Sequence, residues 1–172
     1  MRAGQGGSET PAAEGPDPWE VAVRLLGMRA LTTQELRQRL ARRGYVADQI
    51  QAVVARLAAS RYLDDAEYAR AWARARAHRR SVGPARLTRE LRSKGIAEGV
   101  ISDALREVFG QQDPGEIAEI AAMRKLKALQ GLSPEVSRRR LGAFLTRQGF
   151  ALDVVLALCR KHFPSVEDPE NM

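Results

Sequence analysis

The sequence predicts an all-α fold built of three tandem three-helix repeats that form an elongated, solenoid-like body. One segment occurs three times, as LRQRLARRGY, LTRELRSKGI and LGAFLTRQGF, and the final glycines of these copies are 51 and 54 residues apart. Apolar residues then continue six, ten and fourteen residues past each glycine, which is typical of one helix face. No stretch of convincing length alternates apolar and polar residues as a strand would.

Each copy of the segment predicts a helix, a turn and a second helix. Its two leucines are four residues apart and therefore share one helix face, and the glycine follows four residues later. A helix often ends in a left-handed residue, which only glycine adopts without a steric penalty. The predicted structural turn residues are Gly44, Gly95 and Gly149. We expect a valine at any of the three to destabilise the protein to a similar degree.

Another helix precedes each pair, over about 18–29, 65–80 and 114–129. The motifs DPWE, DDAE and DPGE each place an aspartate where it can cap the first turn, and two of them add proline at the first helical position. The pair helices begin at TTQE, which matches a capping box, at GP and at SP. These signals delimit three helices in every repeat.

The predicted repeats cover 18–62, 63–112 and 113–163. They lie between a disordered N-terminal arm, 1–17, and a disordered acidic tail, 164–172, because both ends lack an apolar pattern. The arm has no apolar stretch of the kind found in secretory signals, and no run approaches the length of a membrane span. A single cysteine excludes an internal disulfide, so we expect a cytoplasmic protein.

The chain is strongly basic, with 28 Lys and Arg against 21 Asp and Glu and a net charge of +7. The two arms hold six of the acids but only one arginine, so the helical body is more basic than the whole chain. Arginine makes forked contacts to carboxylates and phosphates, which indicates an acidic protein surface or nucleic acid as partner. The alternative is a solvated face in a protein that is generally rich in arginine.

The cations cluster on the first pair helices and on the helix that leads into the second repeat. The second pair helices are apolar or acidic, so we do not expect one of them to read bases in a duplex groove. Arg76 with Arg80, and Arg86 with Arg89, have helical spacing that would place two guanidinium forks side by side. The candidate binding residues are Arg74, Arg76, Arg79, Arg80, Arg86, Arg89, Arg92, Lys94, Arg138, Arg139, Arg140 and Arg147.

Nothing in the sequence predicts an enzyme, a cofactor or a metal. Asp64 is expected to be a helix cap, and no glycine-rich phosphate loop accompanies the charges. Cys159 and His162 have a spacing that could begin a metal site, but no further ligands accompany them. Trp19 and Trp72 are expected to anchor the core more readily than to stack on bases.

Three segments of the chain resemble the RecX family of bacterial regulators of the RecA recombinase. They are YLDDAEYARAWARAR (62–76), VGPARLTRELRSKGI (82–96) and RRRLGAFLTRQGF (138–150). The last departs from the usual family pattern at Gln148, where a second arginine is expected. The resemblance extends over about 18–163 and leaves the arms outside.

The resemblance implies an all-helical regulator that lodges in the groove of RecA filaments on single-stranded DNA. Such a protein inhibits the ATPase, strand-exchange and coprotease activities of RecA, and so modulates recombinational repair and the SOS response. The candidate cations would then contact RecA, single-stranded DNA or, weakly, duplex DNA, and we expect a monomer. The alternative is a helical protein that binds nucleic acid without sequence preference and acts independently of RecA.

Overall fold

The computed structural model describes residues 15–110 and 113–164, and this part of the chain is all-α. The predicted arm and tail therefore lie almost wholly outside the described residues. The helices are α1 (Pro18–Met28), α2 (Thr33–Ala41), α3 (Ala47–Ala59), α4 (Asp65–Arg80), α5 (Pro84–Ser93), α6 (Glu98–Gly110), α7 (Pro114–Lys127), α8 (Pro134–Gln148) and α9 (Leu152–His162).

The helices begin at the capping residues that the sequence predicts. The side chains of Asp17, Asp64 and Asp113 each accept a hydrogen bond from a backbone amide in the first turn of the helix that follows. Thr32 and Glu35 form the reciprocal capping box at the start of α2. Each cap satisfies a backbone donor that would otherwise lack a partner, which fixes where the helix starts.

The three predicted turn glycines all have left-handed backbones, with φ of +88° at Gly44, +77° at Gly95 and +89° at Gly149. The same hydrogen bond recurs at each turn, because the amide after the glycine donates to the carbonyl of the second leucine. The pairs are Tyr45 to Leu40, Ile96 to Leu91 and Phe150 to Leu145, at 3.4, 3.2 and 3.3 Å. This is the expected Schellman arrangement.

Apolar side chains are buried in three clusters that do not match the repeats one to one. The first cluster is confined to α1–α3 and the start of the following segment, and it includes Leu36, Leu40 and Leu57. The second is small and lies within α4–α6. The third joins Ala73 and Ala77 of α4 to α7, α8 and α9. The second and third repeats therefore share a core, whereas the first has its own.

Successive repeats also dock at the turn glycines. The start of α2 lies on the turn at Gly95, and the start of α5 lies on the turn at Gly149. In the second case the amide of Gly83 donates to the carbonyl of Gln148 at 2.9 Å, and that of Ala85 to Gly149 at 3.1 Å. Each repeat thus packs on the next along the chain, which produces the tandem, solenoid-like body.

Candidate functional site

The candidate cations fall into groups according to whether a carboxylate of the same chain already holds them. Arg74 pairs with Glu107, Arg92 pairs with Glu98, and both of these pairs lie on the surface. Three further cations, from α4, α5 and the turn after α5, belong to partly buried clusters. The groups differ in how readily they can bind a partner, because a guanidinium that is already paired must first break its ion pair with the carboxylate.

Glu90 on α5 organises the first of the partly buried clusters. Its two oxygens accept from Arg76 at 2.8 and 2.9 Å, from Arg86 at 3.0 Å and from the indole nitrogen of Trp72 at 3.1 Å. Burial alone would raise the pKa of Glu90, but the hydrogen bonds from Arg76, Trp72 and Arg86 outweigh burial and lower it. The cluster ties α4 to α5 and continues to α8, since Arg86 also donates to Gln148 at 2.9 Å.

Lys94 organises the second cluster, at the junction of the first two repeats. Its ammonium lies 2.9 Å from Glu35 and over the rings of Trp72 and Tyr68, at 4.5 and 5.5 Å from their centroids. Its carbonyl accepts a 2.7 Å hydrogen bond from the Thr32 hydroxyl. Burial alone would lower the pKa of Lys94, but Tyr68 and Glu35 raise it. Lys94 therefore joins two repeats and is only slightly accessible.

Six candidate arginines are exposed and make no ion pair or side-chain hydrogen bond within the described part of the chain. They are Arg79 and Arg80 on α4, Arg89 on α5, and Arg139, Arg140 and Arg147 on α8. We call these six residues the open arginine surface. Arg138 is exposed too, but it is engaged within the chain and does not belong to this group.

The elements that carry the open arginine surface meet where the second repeat docks on the third. The segment between α4 and α5 contacts the end of α8 through Gly83 and Gln148. On α8 itself, Arg140 and Arg147 are seven residues apart, which places them on one face about 10 Å apart. The end of α4, the start of α5 and the end of α8, which carries Arg147, thus meet at one junction, and Arg139 and Arg140 lie further back on α8.

The structure revises the two guanidinium pairs that helical spacing predicts. Arg76 and Arg86 both hold Glu90, so only Arg80 and Arg89 of the four remain open. Glu90 is not among the residues predicted from the sequence, although its spacing of four residues from Arg86 is a recognisable signal. The bonds from Arg76 and Trp72 cross between helices and have no such signal in the sequence.

Trp19, Cys159 and His162 each make contacts within the fold. Arg56 lies over the ring of Trp19 at 3.9 Å, and Trp19 packs against the first core. His162 contacts Glu119 at 3.0 Å, whereas Cys159 is buried in the third core, where burial raises its pKa. In residues 15–110 and 113–164, no three His, Cys, Asp or Glu side chains form a group that could hold a metal ion. The same ranges contain no helix of the length and apolarity required to cross a bilayer.

Two family models match adjacent parts of the chain. The model described as RecX, first three-helix domain, matches residues 19–57, and the model described as RecX, second three-helix domain, matches residues 64–105. The matches cover nearly all of α1–α3 and most of α4–α6, respectively. The open arginines of α4 and α5 thus lie within the second matched domain.

Curated relatives show the same family, and a solved structure shows the same fold. The regulatory protein RecX of Pelodictyon phaeoclathratiforme is 33% identical, over 90% of this chain and 95% of the relative. That of Halorhodospira halophila is 34% identical, over 80% and 83%. The crystal structure of RecX from Lactobacillus salivarius has the same fold, with a TM-score of 0.74 and 18% identity over 84% of this chain and 94% of that one.

Proposed function

Because the chain belongs to the RecX family of regulatory proteins, we propose that it binds RecA filaments on single-stranded DNA and inhibits them. The inhibited activities are the RecA ATPase, strand exchange and coprotease activity, so the protein modulates recombinational repair and the SOS response. Family membership also confirms the expectation that the chain is a regulator and not an enzyme.

The observation that carries the proposal is the open arginine surface. A RecA filament on single-stranded DNA offers carboxylates on the protein and phosphates on the strand, and arginine binds both groups bidentately. The six open arginines need not release a carboxylate of their own before they bind, unlike Arg76 and Arg86. Of the candidate cations, they are therefore the ones best able to contact the filament.

The placement of this surface suits a filament groove. It extends over the second and third repeats, which share one hydrophobic core and therefore hold their helices in a fixed relation. A rigid basic face of this kind can contact neighbouring subunits of a repeating partner at the same time. We propose that α4, α5 and α8 face the groove.

The test replaces three open arginines, one from each helix, and measures the RecA ATPase on single-stranded DNA. The variant is Arg80→Ala, Arg89→Ala and Arg147→Ala. We expect half-inhibition to require at least about ten times more protein, because each lost bond to a charged group costs about 1.5–3 kcal/mol. The helical circular dichroism should stay unchanged, since exposed side chains contribute little to stability.

A matched variant removes the same number of charges elsewhere. Arg24, Arg42 and Arg160 are exposed on α1, at the end of α2 and on α9, and make no ion pair within the described part of the chain, so their replacement by Ala should leave inhibition unchanged. Equal loss in both variants would mean that only net charge matters. Inhibition that begins only when the protein coats the DNA would favour the alternative, a nucleic-acid-binding protein that acts independently of RecA.

A further inference from the structure

A groove of about 820 Å³ lies between α1 and α4, and none of the six open arginines lines it. Val23 and Leu26 line it from α1, Ala30 lines it from the segment after α1, and Tyr68, Ala71 and Ala75 line it from α4. Residues three or four apart on a helix share one face, so each helix turns one face towards the groove. The groove therefore has a helical wall on each side.

The groove is apolar and open to solvent. Val23 is 40% exposed and Tyr62, at the mouth, is 67% exposed, although both are large apolar side chains. The walls carry small residues at Gly27, Ala30 and Ala71, so a third backbone can approach closely. Exposed apolar clefts of this kind mark sites for partners, and two helical walls suit a helix laid between them.

The rim of the groove carries positive charge that the chain neutralises only in part. Arg61 is exposed and has no ion pair with any residue that the structure describes, and its backbone is left-handed at φ +56°. The side chain of Arg29 is 50% exposed and comes no closer than 3.9 Å to Glu35. A left-handed arginine is costly, and such residues cluster at functional sites.

The acids on the rim, by contrast, are engaged. Glu67 pairs with Arg70 at 2.8 Å, and Asp64 caps α4 through the amide of Glu67 at 2.9 Å. The open cations lie at the end of the groove where α1 finishes and α4 begins. The start of α4 is held to the start of α2, five residues after α1 ends, by the Thr33 amide, which donates to Asp65 at 2.8 Å. An occupant would therefore place a carboxylate at this end.

The aromatic side chains favour a protein occupant over a nucleic acid. Single strands bind by stacking bases on free aromatic faces. The ring of Trp72 already has Lys94 at 4.5 Å and Arg76 at 5.0 Å from its centroid, and its nitrogen donates to Glu90. Tyr68 stacks against Trp72 with an interplanar angle of 13°. These rings form a fixed wall, and their faces are not free for bases.

We propose that the α1–α4 groove is a docking site for an amphipathic α-helix of a protein partner. The helix is at least two turns long, because the residues of α4 that line the groove, from Glu67 to Ala75, span about 12 Å. It presents apolar residues at positions i, i+3, i+4 and i+7, and it carries carboxylates at the end that meets Arg29 and Arg61. None of the six open arginines lines this groove, so either proposal can fail while the other stands.

The test uses Trp72 as the reporter, in the full chain with Trp19→Phe so that Trp72 is the single tryptophan. The probe is a designed alanine-based peptide of about 14 residues, with leucines at i, i+3, i+4 and i+7 and two glutamates in the first turn. We expect it to shift Trp72 emission. A peptide with lysines in place of the glutamates should bind at least tenfold more weakly, and Arg61→Glu should reverse this preference.

Occupancy of the groove is tested by filling it. Ala71→Phe should lower the affinity for the glutamate peptide at least tenfold. Ala55→Phe, at an exposed position of α3 outside the groove, should not change this affinity. Ala75→Phe is a second filling variant, in case the first disturbs the helical circular dichroism. Absence of peptide binding, or binding that no filling variant weakens, overturns the proposal. If an oligothymidylate binds where the peptide does not, and Ala71→Phe weakens its binding, the groove is a nucleic-acid site and the proposal of a helical protein partner is wrong.

Discussion

At the scale of single residues, Glu90 decides which arginines are available to a partner. It holds Arg76 and Arg86 and leaves their sequence neighbours Arg80 and Arg89 open. Arginines that look equivalent in the sequence therefore differ in whether they are free to bind a partner. Replacing Arg76 or Arg86 would disturb the α4–α5 contact as well as any contact with a partner, so such variants do not separate binding from stability.

Glu90→Gln should destabilise the protein at neutral pH and not in acid. The pKa of Glu90 is lowered in the folded state, so its contribution is present above the ordinary value of 4.5 and is lost as pH falls through the folded value. We expect a loss of about 2 kcal/mol at pH 7, or about 4–8 °C in Tm, and this loss should shrink as pH falls below 4.5 and through the lowered pKa. Thermal melts at neutral pH and in acid measure the difference.

Glu135→Gln is the control for that experiment. Glu135 is exposed in the first turn of α8, and we expect its replacement to change Tm little at either pH. A Glu90→Gln deficit that persists unchanged in acid would contradict the role assigned to the charge of Glu90.

The turn glycines share a backbone conformation but not their surroundings. An added Cβ meets nothing within 4 Å at Gly44, whereas at Gly149 it would overlap the backbone nitrogen of Arg86. Gly44→Ala should therefore cost only the left-handed penalty, about 1–2 kcal/mol. Gly149→Ala adds overpacking and should cost about 2–5 kcal/mol. Urea unfolding of the two variants compares the costs directly, and equal losses would mean that the backbone at Arg86 yields freely. The similar costs that the sequence predicts are thus revised by the structure.

At the scale of helices, the start of α2 is stabilised by a cap and also by a hydrogen bond to the second repeat. Thr32 is fully buried, and its hydroxyl accepts from the Glu35 amide at 3.1 Å and donates to the Lys94 carbonyl at 2.7 Å. One side chain therefore caps a helix and joins two repeats. The junction does not rely on apolar burial alone.

Thr32→Val keeps the shape of the side chain and removes both hydrogen bonds. We expect a loss of about 2 kcal/mol, of which the cap and the bond to Lys94 contribute about 1 kcal/mol each. Ser133→Ala removes only a cap, at the start of α8, and should cost about 1 kcal/mol. Chemical denaturation of both variants measures these losses. If they are the same, the bond to Lys94 adds nothing to stability.

At the scale of the whole molecule, the basic body should bind single-stranded DNA without sequence preference and with strong salt dependence. The logarithm of affinity falls with the logarithm of salt concentration by about 0.7 for each phosphate neutralised. The variant lacking Arg80, Arg89 and Arg147 should therefore reduce this slope by about 2 if all three contact phosphates. Fluorescence anisotropy of labelled oligothymidylate over a range of salt concentrations measures the slope. An unchanged slope would assign these arginines to protein contacts or to solvent.

Local features of the protein follow from the sequence alone. The starts of the helices, the left-handed glycines and the three-helix repeats depend on capping residues, on backbone sterics and on apolar periodicity, which act over a few residues. The motifs around Asp64, Gly95 and Gly149 also sufficed to suggest the family. These features need no knowledge of what lies opposite in space.

Only the tertiary structure decided how the charges and apolar faces are distributed. Glu90 meets Arg76, and Lys94 meets Glu35, across 14 and 59 residues of sequence, so no local pattern reveals that these cations are held. In the same way, the open groove depends on how α1 lies beside α4. The charged and apolar residues of each helix indicate which side chains it could use to bind a partner. Contacts between helices determine which of these side chains stay available, because a side chain that is paired within the fold is no longer free to bind.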